Sequence, residues 1–342
     1  MPEVYVTNFN PNFTGVSASA AAVTRALTNR YDLRLVGHSL PGCPEPITKA
    51  QAIAASRQTP EGKPFAIWHV RRNPEMQTGL WARDIRRLPI RLVFTSAAIR
   101  RHSAWPRWLI SRMDAVIATS DAAATFVPNV RAVAPHGVDT VRFHPAPDRA
   151  AAWAATGHPG ARGIATVGRI RPEKGTDRFV DTMITLLPRL PDVTALVIGK
   201  ATRQHRDFAE TLQAKVEAAG LTDRILFPGE IPADEMPALL RALSLVVNLP
   251  RYEGYGLAPL EAMASGTPFA ATDTGAYRDF SAQGSAGVVV EPENASAQIE
   301  ALLTGQHTAM AQRARDIAVQ SYSVEREAAA IADVYEALCS EA

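Results

Sequence analysis

The sequence predicts an α/β chain built as two doubly wound domains in tandem. Three observations point there. Short apolar runs alternate with longer amphipathic segments, the alternation breaks once and restarts, and 342 residues exceed what one core usually organises. Apolar residues at 46% and charged residues at 20% describe an ordinary globular protein and exclude a disordered chain or a disulfide-stapled miniprotein.

The elements follow in order. Val4–Thr7 reads as a strand, followed by a turn at Gly15 and a helix from about Ser17 to Thr28. Leu33–Val36, Phe65–Val70, Leu92–Thr95 and Ala115–Thr119 read as further strands. Strands that alternate with helices argue for a parallel sheet covered on both faces. Turn formers in His144-Pro145-Ala146-Pro147 and Gly157-His158-Pro159-Gly160 place a linker near residues 144–163. Beyond it the strands are Ile164–Val167, Thr194–Ile198, Ile225–Phe227, Leu245–Asn248, Phe269–Thr272 and Val288–Val290. Helices are predicted between them at Arg178–Leu187, Phe208–Ala219, Asp234–Leu243, Ala258–Ala264 and Ala295–Leu303. A last helix runs from Val324 to Leu338. The domains are thus expected at 1–150 and 160–322, with ligands bound beyond the carboxyl ends of the strands, in a cleft between the two.

The net charge of +2 conceals an asymmetry. Residues 1–150 hold 19 basic and 10 acidic side chains, and the remainder 36 − 19 = 17 basic and 34 − 10 = 24 acidic, so the halves carry +9 and −7. Cys43 and Cys339 have no metal-ligand spacing and read as reduced thiols of a cytosolic protein. The N-terminus shows no secretory signal, and no apolar run approaches the roughly 20 residues that span a bilayer.

Two segments carry chemistry. In Val167-Gly168-Arg169-Ile170-Arg171-Pro172-Glu173-Lys174-Gly175, a strand end meets a helix start. Gly168 lets a ligand approach the backbone, and Arg169 and Lys174 supply cations suited to a phosphate or pyrophosphate. In Arg251–Pro268, Gly254 and Gly256 open the backbone just before a helix, so the amides of Gly256 and Leu257 form a ready anion site. Glu253 precedes that helix and Glu261 lies within it; a carboxylate accepts hydrogen bonds from vicinal sugar hydroxyls. Pro259 stands where a dinucleotide fingerprint needs its third glycine, and no Gly-Lys-Ser/Thr run marks a P-loop.

Together these segments resemble the retaining glycosyltransferases of family 4, which have the GT-B fold of two Rossmann-like domains facing across a cleft. Glu253 and Glu261 match the family's E-x7-E motif, and Val167–Gly175 its V-G-R-x-x-x-x-K-G segment. His136-Gly137-Val138-Asp139, with Phe143 and Pro145, matches its H-G-V-D-x-x-x-F-x-P segment. Ser321-Tyr322-Ser323 and the helix after it resemble the C-terminal segment that crosses back onto the first domain, here 323–342. The resemblance implies that Arg169 and Lys174 bind the donor diphosphate and stabilise the departing nucleotide. Gly168, Gly254, Tyr255, Gly256 and Leu257 would border the donor. Glu261 would hold the ribose and Glu253 the transferred sugar. Gly15 stands where the family has a glycine-rich loop near the diphosphate, and Ile231 lies where the nucleobase would sit. Retention is implied, and no cofactor beyond the nucleotide-sugar substrate. With no Asp-x-Asp pair in the chain, metal-independent transfer is expected, the cations standing in for a metal.

The first domain is expected to receive the acceptor. His69 ends an apolar strand and is a candidate catalytic residue. Arg71, Arg72, Arg100, Arg101 and His102 are candidate acceptor contacts, with Trp105 and Trp108 interleaved and a similar pattern in Trp81–Arg91. An anionic acceptor or an anionic membrane surface explains this pattern; a solvated helix face explains Arg83, Arg86 and Arg87 equally well. Nucleic acid is disfavoured by the acidic second half. The Glu253–Gly266 run and the Arg-rich first half look most like mannosyltransferases of lipopolysaccharide core assembly in alphaproteobacteria. That resemblance implies GDP-mannose as donor, an anionic glycolipid as acceptor, and a peripheral location on the cytoplasmic face of the inner membrane. The alternatives are a UDP-sugar used on another acceptor, a nucleotide-sugar epimerase of the same fold, or a sugar-nucleotide binding protein without turnover.

Overall fold

A computed structural model describes residues 1–305 and 307–341. The chain divides into two compact units. One comprises residues 1–137 together with the chain from Tyr322 onward, and the other comprises Val138–Ser321.

The first unit begins β1 (Val4–Asn8), α1 (Gly15–Leu27), β2 (Leu33–Gly37), α2 (Lys49–Ala55), β3 (Ala66–Val70) and α3 (Asn73–Leu80). It continues β4 (Ile90–Ser96), α4 (Ala104–Ser111), β5 (Ala115–Ala118), α5 (Asp121–Ala124) and β6 (Val130–Val133). The strands form a parallel sheet in the order β2-β1-β3-β4-β5-β6. Every residue of β1, β3 and β5 is buried, the pattern of strands covered on both faces. Side chains alternate between faces. Val4, Val6, Ile67, Val93 and Ile117 face a core closed by Val23 and Leu27 of α1. Tyr5, Trp68, Val70, Leu92 and Phe94 face Met76 and Leu80 of α3 and Leu109 and Ile110 of α4.

The second unit begins α6 (Arg149–Ala155), β7 (Arg162–Val167), α7 (Thr176–Leu186), β8 (Val193–Ile198), α8 (Arg206–Ala218), β9 (Ile225–Gly229) and α9 (Met236–Ala242). Then come β10 (Leu245–Asn248), α10 (Leu257–Ala264), β11 (Phe269–Ala271), α11 (Tyr277–Ser281), β12 (Gly287–Val289), α12 (Ala295–Thr304) and α13 (His307–Ser321). Its parallel sheet runs β12-β11-β10-β7-β8-β9. The last helix, α14 (Val324–Ser340), returns to the first unit, where Ile331, Ala332, Val334 and Tyr335 join the core over β1 and β3. Fully burying one such aliphatic side chain contributes about 1.5–3 kcal/mol, so this helix is a structural wall of that unit.

The division falls earlier than the predicted linker at 144–163. Residues 138–155 fold with the second unit because side chain-to-backbone hydrogen bonds run between them in both directions. Arg315 of α13 donates to the carbonyls of Phe143 (2.7 Å), Thr140 (3.1 Å) and Ala264 (2.6 Å). Arg149 donates to the Gly266 carbonyl. Trp153 of α6 is buried and donates its indole N–H to the Gly160 carbonyl at 3.1 Å.

Each sheet has one point where strand order reverses, between β1 and β3 in the first and between β7 and β10 in the second. Beyond the carboxyl ends of such a pair lies the crevice where doubly wound sheets bind ligands.

Candidate active site

In the second unit, the two chemistry-bearing segments leave these two strands. Gly168-Arg169 follows β7, and Pro250–Glu253 lies just beyond β10. Asn248 locks the strand ends together. Its carbonyl oxygen accepts from Thr166 Oγ1 and Val167 N–H, both at 3.2 Å, and its amide donates to the Val167 carbonyl at 3.3 Å. Thr166, Gly168, Arg169, Lys174, Thr176, Asn248 and Glu253 line one small polar cavity here.

Lys174 Nζ and Glu253 Oε2 stand 2.5 Å apart, both partly buried, and the other Glu253 oxygen accepts from Gly254 N–H at 3.0 Å. The two segments thus meet, with a cation and a carboxylate in contact. Arg169 is exposed at the mouth of the site.

The helices that follow both begin at a left-handed glycine, Gly175 at φ 66° and Gly256 at φ 99°, and neither start has a side-chain cap. Glycine is required at both. A Cβ on Gly175 would lie 1.8 Å from the Leu249 carbonyl oxygen, and one on Gly256 would lie 2.1 Å from the Tyr277 ring. The first amides of α10 and its dipole form an uncapped helix start in the loop after β10, an end suited to an anion.

Tyr277 is the unforeseen floor of this loop. Burial and the charge of Glu253 push its phenol well above the ordinary value, so it stays protonated. Glu261 lies on α10, partly buried. Burial pushes its carboxyl up to about 7, with the charge of Arg142 acting the other way. Ile231 lies in the loop after the end of β9, partly exposed. Gly254 and Tyr255 precede α10, with Tyr255 buried against the Phe280 ring at 5.4 Å.

In the first unit, the strand ends at the order reversal carry a network that the sequence showed only in part. Glu75 of α3 is fully buried. It accepts from Thr7 Oγ1 (3.0 Å), from the backbone amides of Phe9 (3.1 Å), Arg71 (2.8 Å) and Arg72 (3.1 Å), and from the Arg72 guanidinium (3.1 Å). Arg72 also reaches Asn8 (3.0 Å), Thr14 (3.3 Å) and Ser17 (2.9 Å). Its expected role as an acceptor contact is corrected: its donors are committed to holding the α1 and α3 starts against β1. Arg71, in contrast, is buried, and its guanidinium has no hydrogen-bond partner among the described residues.

His69 also departs from expectation. It has no exposed surface. Nδ1 lies 2.6 Å from the Tyr335 hydroxyl of α14, and Nε2 lies 2.7 Å from Thr95 Oγ1 of β4. Burial, then the charges of Arg71 and His136, hold its pKa well below 6.5, so the ring is neutral and each nitrogen has one fixed role. This geometry makes His69 a positioning residue that ties α14 to the sheet, not a group that touches substrate.

The His136-Gly137 pair of the H-G-V-D segment does similar work. His136 Nδ1 lies 2.7 Å from Glu327 Oε1, and Gly137 N–H donates to Glu327 Oε2 at 2.8 Å. Gly15 opens α1, with nothing within 4 Å of where its Cβ would be. Arg100 and Arg101 are exposed in the loop after β4. His102 lies beside them, its pKa lowered by burial and then by Arg100. Among the described residues, no three His, Cys, Asp or Glu side chains gather as a metal site.

Two parallel doubly wound sheets, with a cation–carboxylate pair where one of them reverses, define a class, and the comparisons agree. Residues 155–318 match the family described as Glycosyl transferases group 1, and near-full-length relatives extend the match. The chain belongs to this family and is a glycosyltransferase of GT-B fold. It is 41% identical to the lipopolysaccharide core biosynthesis mannosyltransferase LpsB of Rhizobium meliloti (strain 1021), covering 98% of this chain and 97% of that protein. To LpcC of Rhizobium leguminosarum bv. viciae, described by the same activity, it is 40% identical over 98% and 96%. Among solved structures, Anabaena HepE in complex with UDP and glucose superposes with a TM-score of 0.82 over 98% of this chain and 100% of that one, at 19% identity, a likeness of fold. The C-terminal domain of the Francisella tularensis protein LpcC is 38% identical with a TM-score of 0.53, over 55% of this chain and 99% of that one.

Proposed function

We propose that the protein transfers mannose from GDP-mannose to an anionic lipopolysaccharide-core acceptor, with retention at the anomeric carbon and without a metal ion. The observation that carries this reading is the 41% identity, over nearly the whole of both chains, to a lipopolysaccharide core mannosyltransferase. The site chemistry supports it. As the glycosidic bond to the donor breaks, its electron pair passes to the β-phosphate oxygen, and Arg169, Lys174 and the first amides of α10 are the groups suited to meet that charge. The Lys174–Glu253 contact supplies the switch: an arriving diphosphate competes for Lys174 and frees Glu253 for the hydroxyls of the sugar. Glu261 takes the ribose hydroxyls. Gly15, Gly168, Gly254, Tyr255 and Ile231 border the donor, and Arg100, Arg101 and His102 belong to the acceptor side.

The protein is also proposed to work at the cytoplasmic face of the inner membrane. Among the described residues no helix is long and apolar enough to cross a membrane. Trp105 and Trp108 of α4 are exposed and stack 5.1 Å apart at 10°. α4 packs beside α3. The wide turn Trp81–Ile85 after α3 exposes Trp81, with the Arg86 guanidinium 5.5 Å from its ring, and Ile85. Exposed indoles among arginines suit an anionic lipid surface.

The test pairs donor with acceptor. GDP should protect the protein against heat more than UDP does. GDP-mannose with the core acceptor should yield an α-linked product by NMR, undiminished by EDTA. Stronger protection by UDP reassigns the donor, an inverted product removes retention, and loss of activity in EDTA removes metal independence. Release of GDP without acceptor, or epimerised sugar, favours the rival readings.

A further inference from the structure

Arg71 is the residue of the first unit that the scaffold leaves unexplained. A guanidinium offers five N–H donors in a planar fork. Arg71 is 7% exposed, and neither its Nε nor its two terminal nitrogens has a hydrogen-bond partner among the described residues. Its neighbour shows how this scaffold satisfies a cation that serves the fold: Arg72 contacts Glu75, Asn8, Thr14 and Ser17. Glu75 accepts the Arg71 backbone amide but has no oxygen to spare, since Thr7, Phe9 and Arg72 occupy both. Glu327, whose charge also acts on Arg71, has its two oxygens on His136 and Gly137. Glu327 and Glu75 thus act on the Arg71 guanidinium through their charge but neither accepts a bond from it, and buried donors without an acceptor are unfavourable unless something else supplies one.

Nearby, two more buried polar groups lack hydrogen-bond partners among the described residues. They are Ser96 Oγ, at the last residue of β4, and Thr119 Oγ1, one residue past β5. β3, β4 and β5 are adjacent and parallel, and Thr119 N–H donates to the Ser96 carbonyl at 3.0 Å. The three unmatched groups therefore lie at the carboxyl ends of three neighbouring strands, the edge of the sheet where ligands bind.

We propose that these strand ends form an anion subsite. Arg71 forks a carboxylate or a phosphate of the acceptor, and the Ser96 and Thr119 hydroxyls add donors. This rests on the reading that the first unit receives the acceptor. It assigns acceptor specificity to one residue and separates Arg71 from Arg72, which the sequence leaves equivalent. Lysine cannot reproduce the two parallel N–H bonds of the fork, so Arg71→Lys keeps the charge and loses the geometry.

The test needs no turnover. The full-length protein is saturated with GDP or UDP, whichever it binds, to occupy the donor site. It is then titrated separately with glucuronate, followed by saturation-transfer NMR, and with inorganic phosphate, followed by 31P line width. The wild type should bind at least one of them, and R71Q should weaken that binding at least tenfold, with R71K in between. Binding of glucuronate alone assigns a carboxylate, and of phosphate alone a phosphate. No binding by the wild type, or equal binding by R71Q, overturns the proposal. If R71Q fails to fold by circular dichroism, R71K carries the comparison, and an unchanged Kd overturns it. Arg71-dependent anion binding in a protein that transfers no sugar would remove the transferase reading, and with it the acceptor, and leave the anion subsite alone standing.

Discussion

Replacing Glu261 by glutamine should make the protein more resistant to heat in a way that grows with pH. Burial raises this carboxyl from 4.5 to about 7 in the folded chain. A raised folded-state pKa means that the folded state holds its proton more tightly than the unfolded chain. The stabilisation is complete below about 4.5 and is lost as the pH rises to about 7. A shift of about 2.5 units at about 1.36 kcal/mol per unit gives a loss of about 3 kcal/mol, of which about 2–3 kcal/mol falls between pH 5 and pH 8. Glutamine has nearly the same shape and no proton to lose, so E261Q escapes the loss. At about 2–4 °C per kcal/mol for a unit of this size, the Tm advantage of E261Q should grow by about 5–10 °C from pH 5 to pH 8. Thermal unfolding of both proteins at several pH values and constant ionic strength measures this directly, because every other titrating group cancels in the difference. A Tm difference that stays constant over that range, or shrinks, refutes the reasoning. The same proton links stability to binding. Ribose hydroxyls donate to a carboxylate, so nucleotide affinity of the wild type should rise with pH up to about 7, while that of E261Q stays flat.

Three further outcomes are expected. Lys174→Ala should lower kcat by about 10²–10³, the loss typical of one preorganised donor at a developing charge, with the circular dichroism unchanged; a loss below tenfold would contradict the role given to Lys174. Tyr335→Phe removes the partner of His69 Nδ1 and should destabilise the first unit by about 1–3 kcal/mol in urea unfolding, with nucleotide affinity unchanged; a shift in nucleotide affinity would mean that His69 acts on the donor. W105S/W108S should lower co-sedimentation with phosphatidylglycerol vesicles severalfold and leave Tm unaltered, because both indoles are exposed; equal sedimentation would move the lipid contact elsewhere.

The strands were the legible part of the fold, because a run buried on both sheet faces reads as continuous apolar sequence. Val130–Val133 escaped that rule: it is an edge strand whose residues alternate between partly buried and exposed, with Arg131 inside it. The boundary at residue 138 was invisible because it is set by Arg149 and Arg315, whose backbone partners lie far along the chain. At the candidate donor site, the sequence assigns Lys174 to the phosphates and Glu253 to the sugar; their contact with each other, Asn248 and Tyr277 were not legible. Asn248 and Tyr277 look like ordinary strand and helix residues until the sheet sets them beside the loops. In the first unit, a row of arginines could not be sorted by sequence. Glu75 decides between Arg72 and Arg71, and Tyr335, which is 266 positions from His69, decides that the histidine is interior.

The return of α14 also fixes the order in which the molecule can be made. The second unit is continuous in sequence and can close its core as soon as it emerges. The first unit cannot: the face of its sheet that waits for Ile331 and Tyr335 stays open until α14 is made. Some 203 residues separate Gly137 from the end of α14 at Ser340 (340 − 137), which at about 5–20 residues per second leaves that apolar surface bare for roughly 10–40 s. The usual N-to-C order of domain maturation is inverted here. A ribosome that stalls before α14 releases a chain whose later half is finished and whose earlier half is a substrate for chaperones.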